Sequence, residues 1–237
     1  MRLDKFISNS LNVTRAQISN FLKKNEVCVN GKKVIKKDYK INEDKDIISV
    51  NGENIEYKEF VYYMLNKPSG YVSAVKDNID KTVVQLIDTN YDIFPIGRLD
   101  KDTEGLLILT NNGSLAHHLT NPNHHVVKKY FVRVDKEMKD NELEEFKSGI
   151  EIKDGDNNLF ITKKCNIEKL SEYEYNVYIE EGKFHQVKRM FAFFDINVTY
   201  LKRMSMGSIS LDESLELGQY RELTNEEVIS LKENSNF

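Results

Sequence analysis

The spacing of apolar positions changes along the chain, and the change divides it into a helical head and a strand-rich body. Leu3, Phe6, Ile7 and Leu11 fall at helical intervals and make one stripe of a short helix. Thr14 is placed to cap a second helix that turns Ile18, Phe21 and Leu22 inward and Arg15, Lys23 and Lys24 outward. Val27-Cys28-Val29-Asn30-Gly31-Lys32-Lys33-Val34 then reads as a hairpin, because Asn-Gly supplies the positive φ angles of a two-residue turn. After residue 60 strands dominate. Phe60 to Lys67 runs into a Pro68-Ser69-Gly70 turn, and Leu106 to Leu109 is an unbroken apolar run of buried-strand length. Residues 128–134 alternate, so that Tyr130, Val132 and Val134 share one face. A strand with Tyr173, Tyr175, Val177 and Ile179 on one face leads, past Gly182, to a helix that buries Val187, Met190, Phe191 and Phe194. Shorter helices are expected at Thr82 to Ile87, after a Ser114 cap, around Glu142 to Lys147, and after the capping box Thr224-Asn225-Glu226-Glu227.

This pattern predicts an α+β protein: a small two-helix-plus-hairpin domain at residues 1–45, a linker at 46–59, and a mixed, mainly antiparallel sheet flanked by helices at 60–237. Charge sharpens the division. Ten Lys or Arg residues within 1–40 face Asp4, Glu26 and Asp38, a local +7. The chain as a whole carries −4, so the remainder stands at −11. A basic head on an acidic body suits a polyanionic partner. No apolar run approaches the ~20 residues of a membrane helix, and the charged start Met1-Arg2-Leu3-Asp4-Lys5 lacks a signal-peptide core. A reduced, cytoplasmic protein is expected, since Cys28 and Cys165 offer neither a disulfide framework nor metal spacing.

The densest chemistry lies in Pro95-Ile96-Gly97-Arg98-Leu99-Asp100-Lys101-Asp102-Thr103-Glu104-Gly105, just ahead of the apolar run. Charges held against a buried strand are costly unless paired, so Arg98 and Asp100 need a reason beyond turn formation. The stretch from Pro95 to Gly113 resembles the signature of pseudouridine synthases, in the branch that modifies single sites of ribosomal RNA. Leu65-Asn66-Lys67-Pro68-x-Gly70, Lys128-Lys129-Tyr130 and His185-Gln186-Val187-Lys188 resemble further motifs of that branch. Arg2-Leu3-Asp4-Lys5-Phe6 and Val27-x-Val29-Asn30-Gly31 resemble the S4 RNA-binding module. Gly218-x-Tyr220-Arg221-x-Leu223-Thr224-x-Glu226-Glu227 is similar to the small-subunit (16S) rRNA members.

The resemblance implies that Asp100 is the catalytic carboxylate, acting as nucleophile or as base on the sugar. It also implies that Tyr130 stacks on the target base and that Lys188 pairs with Asp100. Relatives often carry Arg at that last position, and Arg189 stands next door. RNA contacts are expected from Arg2, Lys5, Arg15, Lys23, Lys24, Lys32 and Lys33 in the head, and from Lys67, Arg98 and Arg189 in the body. The implied partner is ribosomal RNA in a small-subunit assembly particle, met by a monomer with no inferable protein partner and no membrane. The implied reaction needs no cofactor and no metal. The cluster His117, His118, His124, His125 does not read as a metal site, since adjacent helix residues cannot face one ion. The alternatives are a synthase of the same branch acting on large-subunit (23S) rRNA, and an assembly factor that keeps the fold without the chemistry.

Overall fold

The computed structural model describes residues 1–233 apart from 12, 44, 56 and 57. It forms two compact units, Met1–Val61 with Asp88–Asp92, and Tyr62–Ile87 with Ile93–Phe237.

In the first unit, α1 (Leu3–Ser10) and α2 (Ile18–Lys24) pack on a sheet of β1 (Val27–Val29), β2 (Lys32–Lys33), β3 (Ile48–Val50) and β4 (Glu53–Ile55), in the order β2-β1-β3-β4. Leu3, Phe6, Ile7, Ile18 and Leu22 meet Val27, Val29, Ile48 and Val50 in one core. The Asn30-Gly31 turn has both φ angles positive, at 50° and 75°. Two expectations need correction. The second helix starts at Ile18 with Gln17 at its cap, because the Thr14 amide and hydroxyl both donate to the Gln17 side-chain oxygen, at 3.1 and 2.8 Å. The stretch 46–59 is not a linker: β3 pairs with β1 (Val27 opposite Val50, Val29 opposite Ile48) and buries Ile48 and Val50. Two short helices and one hairpin leave their apolar faces open without these strands, so the sheet runs on to Ile55.

The second unit contains β5 (Tyr62–Lys67), β6 (Phe94–Pro95), β7 (Glu104–Thr110), α3 (Gly113–Thr120), β8 (Lys128–Val134), α4 (Asp140–Ser148), β9 (Glu151–Lys153), β10 (Leu159–Ile161), β11 (Asn166–Lys169), β12 (Glu174–Ile179), α5 (Gln186–Ala192), β13 (Val198–Met206), β14 (Ile209–Ser210), β15 (Tyr220–Glu222) and α6 (Asn225–Glu233). Its main sheet runs β11-β12-β8-β13-β7-β5-β15, with β14 on β13 and β6 on β7. The β7–β13 pair is parallel and the other pairings are antiparallel. Leu106 to Leu109 are wholly buried, as an unbroken apolar strand covered on both faces must be. Where β7 begins, Gly105 has φ +98°, and a Cβ there would lie 2.3 Å from the Arg203 carbonyl oxygen. The glycine of the motif is therefore a condition for β13 to pair with β7.

At the start of α3 the cap is Asn112 rather than Ser114: its side chain accepts from the Leu115 amide at 3.1 Å. The capping box of α6 forms as the sequence suggests, with Thr224 and Glu227 exchanging hydrogen bonds of 2.8 and 3.2 Å. Arg221 locks that corner, bidentate to Glu227 at 2.7 and 2.8 Å and bonded to Asp212 at 2.6 Å. Among the described residues no helix is long and apolar enough to cross a membrane.

Candidate active site

The loop between β6 and β7 carries Arg98, Asp100 and Asp102, and the segment after β5 fixes its backbone. Ser73 clamps Leu99 from both sides: its hydroxyl accepts from the Leu99 amide at 3.0 Å and donates to the Leu99 carbonyl at 2.9 Å. The Gly70 amide donates to the Lys101 carbonyl at 2.8 Å, and the Thr103 amide to the Asp100 carbonyl at 3.1 Å.

Lys67 is the strut beneath this loop and is not a surface cation. It is 0 % exposed, and its ammonium donates to the carbonyls of Pro68 (3.0 Å), Lys101 (3.2 Å) and Thr103 (2.8 Å). The expected RNA contact is thereby corrected: Lys67 faces inward, where its ammonium gathers three loop carbonyls, one of which (Lys101) also accepts from the Gly70 amide. Desolvation pushes its pKa down to about 8, against the pull of Asp102, Asp100 and Glu104. Lys67→Met takes the ammonium away from all three carbonyls, of which Lys101 alone keeps the Gly70 amide, and is expected to cost about 3 kcal/mol. At 2–4 °C per kcal/mol that lowers the melting temperature by roughly 6–12 °C. The pH dependence has a definite sign. The folded lysine titrates near 8 and the unfolded one near 10.5, so the unfolded state binds more protons between those values and stability rises with pH across that window. Urea unfolding of both proteins at several pH values should show this rise to be shallower in the variant. An unchanged melting temperature would contradict the strut.

Above the strut, Asp100 meets the start of α5. The Lys188 ammonium lies 3.3 Å from Asp100 Oδ2 and 2.6 Å from Asp102 Oδ1, so one cation bridges both carboxylates. Burial raises the Asp102 pKa, but the hydrogen bond and charge of Lys188 outweigh it and hold the carboxyl below its usual range. His185 turns its Nε2 to within 3.6 Å of Asp100 Oδ1. It does so from left-handed backbone, φ 52°, at the cap of α5, with its ring stacked on Phe184 at 3.8 Å. Asp100, Tyr130 and His185 line one slot of about 50 Å³, together with Arg98, Ile179 and Leu201. Tyr130 reaches it from the middle of β8, where it is paired to Val177 and Arg203 and nearly buried.

Of the residues expected from sequence, Arg98 and Asp100 on one loop, Tyr130 and Lys188 thus come together from three separate stretches. Arg98 is exposed on the wall of the slot. Arg189 does not pair with Asp100: it donates to the Lys153 carbonyl at 2.6 Å and lies 5.2 Å from the Phe184 ring centre. One helical step carries it about 100° away from Lys188, which settles the choice between the two. In the first unit Arg2, Lys5, Arg15, Lys23, Lys24, Lys32 and Lys33 are all exposed. Arg2 is engaged with Asp4 at 2.6 Å, and beside them Lys5 and Arg15 line a shallow hollow. The histidines pack as side chains: the His118 and His124 rings stack 3.6 Å apart, and His125 bonds Glu180 at 2.6 Å. Among the described residues no group of three His, Cys, Asp or Glu side chains is placed to hold a metal ion. Sequence reasoning missed Ser73 and His185. The first gives no signal in one sequence, while the second stands inside a quoted motif.

A basic helix–hairpin unit, and a second unit in which a mainly antiparallel sheet carries an Asp–Lys pair beside a tyrosine, are features that an enzyme acting on RNA would need. Comparison with known proteins gives the family. Residues 61–193 match the RNA pseudouridylate synthase family and residues 1–48 match the S4 domain. The chain is 41% identical, over 98% of its length and 99% of the relative's, to a Bacillus subtilis protein described as the uncharacterized RNA pseudouridine synthase YtzG. It is 36% identical, over 98% of its length and all of the relative's, to ribosomal small subunit pseudouridine synthase A of Escherichia coli. A solved pseudouridylate synthase superposes with a TM-score of 0.69 at 36% identity, covering 98% of this chain and 99% of that one. The chain belongs to the RNA pseudouridine synthases, which are isomerases, and it carries an S4 domain.

Proposed function

We propose that this enzyme converts one uridine of small-subunit ribosomal RNA to pseudouridine. The supporting observation is that Asp100 shares a slot with Tyr130 and lies 3.3 Å from Lys188, three residues contributed by separate parts of the chain. Full-length similarity to a small-subunit synthase supports the choice of RNA.

The reaction is an isomerisation. The bond between N1 of uracil and C1′ of ribose breaks, the base turns, and C5 bonds to C1′ while the C5 proton leaves and N1 takes one up. An ionised Asp100 would either attack C1′ or remove the C2′ proton. Lys188 would balance its charge as water is displaced. Tyr130 would offer the flipped base a stacking surface in place of its lost neighbours. Arg98, on the wall of the slot, would grip the extruded nucleotide. Lys23, Lys24, Lys32 and Lys33, with Arg2, Lys5 and Arg15, would contribute salt-sensitive affinity for phosphates without reading sequence. The same reading has a cytoplasmic monomer acting on a small-subunit assembly particle.

Tritium release from transcripts labelled at uridine C5 tests the substrate. Small-subunit rRNA, free or in assembly particles, is expected to release one equivalent per molecule and large-subunit rRNA none. Release from the large-subunit transcript alone would overturn the choice of RNA while leaving the chemistry intact.

A further inference from the structure

Beside the slot lies a second hollow of about 180 Å³, and the two share Arg98, Tyr130, Gly182 and Lys183 as a common wall. Its lining includes Lys128, at the head of β8, and Arg203, on β13. Arg203 is only 2% exposed. Its Nε donates to the Leu106 carbonyl at 2.7 Å, whereas Nη2 is buried and has no hydrogen-bond partner among the described residues. A guanidinium withdrawn from water with one nitrogen idle is costly. Lys128 is half-buried, and its ammonium donates to the Glu180 carbonyl at 2.9 Å. Burial, and then the neighbouring charge of Arg203, push its pKa down to about 8. Arg98 and Lys183 add two exposed cations.

The carboxylates of this hollow, Glu180 and Glu181, are engaged elsewhere. Glu180 bonds His125 at 2.6 Å and lies 4.0 Å from the Lys163 ammonium. Glu181 accepts from the Lys163 amide at 3.1 Å and from the Gln186 side chain at 2.8 Å. Four cations therefore line a hollow whose two acids are already paired, and one of the four has an idle buried donor.

We infer that this hollow is a subsite for one backbone phosphate of the RNA, next to the nucleotide whose base enters the Asp100 slot. The inference rests on reading that slot as the uridine site. Phosphate oxygens would accept from Arg203 Nη2 and Lys128 Nζ, with Arg98, two residues before Asp100, completing the grip. An RNA phosphate fits better than a separate small anion, because the hollow and the slot share Arg98, Tyr130, Gly182 and Lys183 as a wall. Holding that phosphate fixes the ribose against Asp100, which is where an isomerase gains from positioning.

The test measures binding of a small-subunit rRNA transcript to the full-length Asp100→Asn protein, so that no turnover occurs, across a range of KCl concentrations. Adding Lys128→Met is expected to weaken binding about tenfold at moderate salt. It should also make the slope of log affinity against log salt shallower by about 0.7 to 0.9, the value of one phosphate contact. Lys147→Met, which removes a half-exposed lysine paired with Glu144 on α4 at 2.8 Å, should change neither. A second arm needs no variant of the subsite: uridine 5′-monophosphate should displace the RNA at a concentration at least tenfold below that required for uridine or for inorganic phosphate. An unchanged salt slope with Lys128→Met overturns the subsite, as does equal competition by uridine and its monophosphate. Inorganic phosphate matching the nucleotide would mean a free-anion site instead and also overturns it. Turnover by Asp100→Asn would sink the reading of the slot, a failure separate from these.

Discussion

Asp100→Asn is expected to abolish pseudouridine formation, with turnover falling at least about 10⁴-fold, or ~5.5 kcal/mol of barrier, while RNA affinity stays within threefold. The amide keeps the size of the side chain and its place above the Lys67 strut, so the loop remains held by Ser73 and Gly70. What it loses is the charge and the nucleophilic oxygen that either route through C1′ or C2′ requires. The change also relieves Lys188 of one of its two carboxylates, leaving Asp102 at 2.6 Å as its partner, so the fold is expected to survive. Tritium release and filter binding on the same preparation separate chemistry from affinity. Loss of both together would point to a collapsed site.

Lys188→Met is the second large effect. Removing the ammonium leaves Asp100 and Asp102 facing each other without the cation between them, and turnover is expected to fall about 100-fold, roughly 2.7 kcal/mol. Lys188→Arg should restore most of that loss, because charge is the property in demand and relatives of this branch are expected to tolerate it. Asp102→Asn should cost less than tenfold, since Asp102 is largely exposed and its loss frees Lys188 to serve Asp100 alone. Single-turnover rates at saturating RNA read the three variants side by side. Equal losses in Lys188→Met and Asp102→Asn would mean that the bridge as a whole, rather than the pair with Asp100, carries the effect.

Much of this site could be read from the chain because its residues sit in long local motifs. Asp100, Tyr130 and Lys188 are each embedded in a run whose glycines and apolar positions restrict where the chain can go. Gly105 illustrates this, for its missing Cβ is what lets β13 approach β7. Lys67 was misread because a lysine beside a Pro-Gly turn looks solvated by composition. Its three acceptors belong to two stretches, one of them more than thirty residues away, and only the folded loop brings them together. Short pieces failed for a related reason. Ile48-Ser49-Val50 has strand composition, but nothing local says which sheet it joins, and pairing with Val27 to Val29 draws it into the first unit. Caps misled by three residues and by two where a neighbouring side chain competed, Gln17 with Thr14 and Asn112 with Ser114. Arg203 carried no readable signal, since an arginine on an alternating strand looks like an outward residue until the parallel partner buries it.

The most direct measurement is a pseudouridine map of ribosomal RNA from cells lacking the gene, complemented with the wild-type protein or with Asp100→Asn. The wild-type protein should restore one small-subunit pseudouridine, and Asp100→Asn, expressed to the same level, should restore none. Restoration of that site by Asp100→Asn would contradict the claim that this carboxylate carries the reaction.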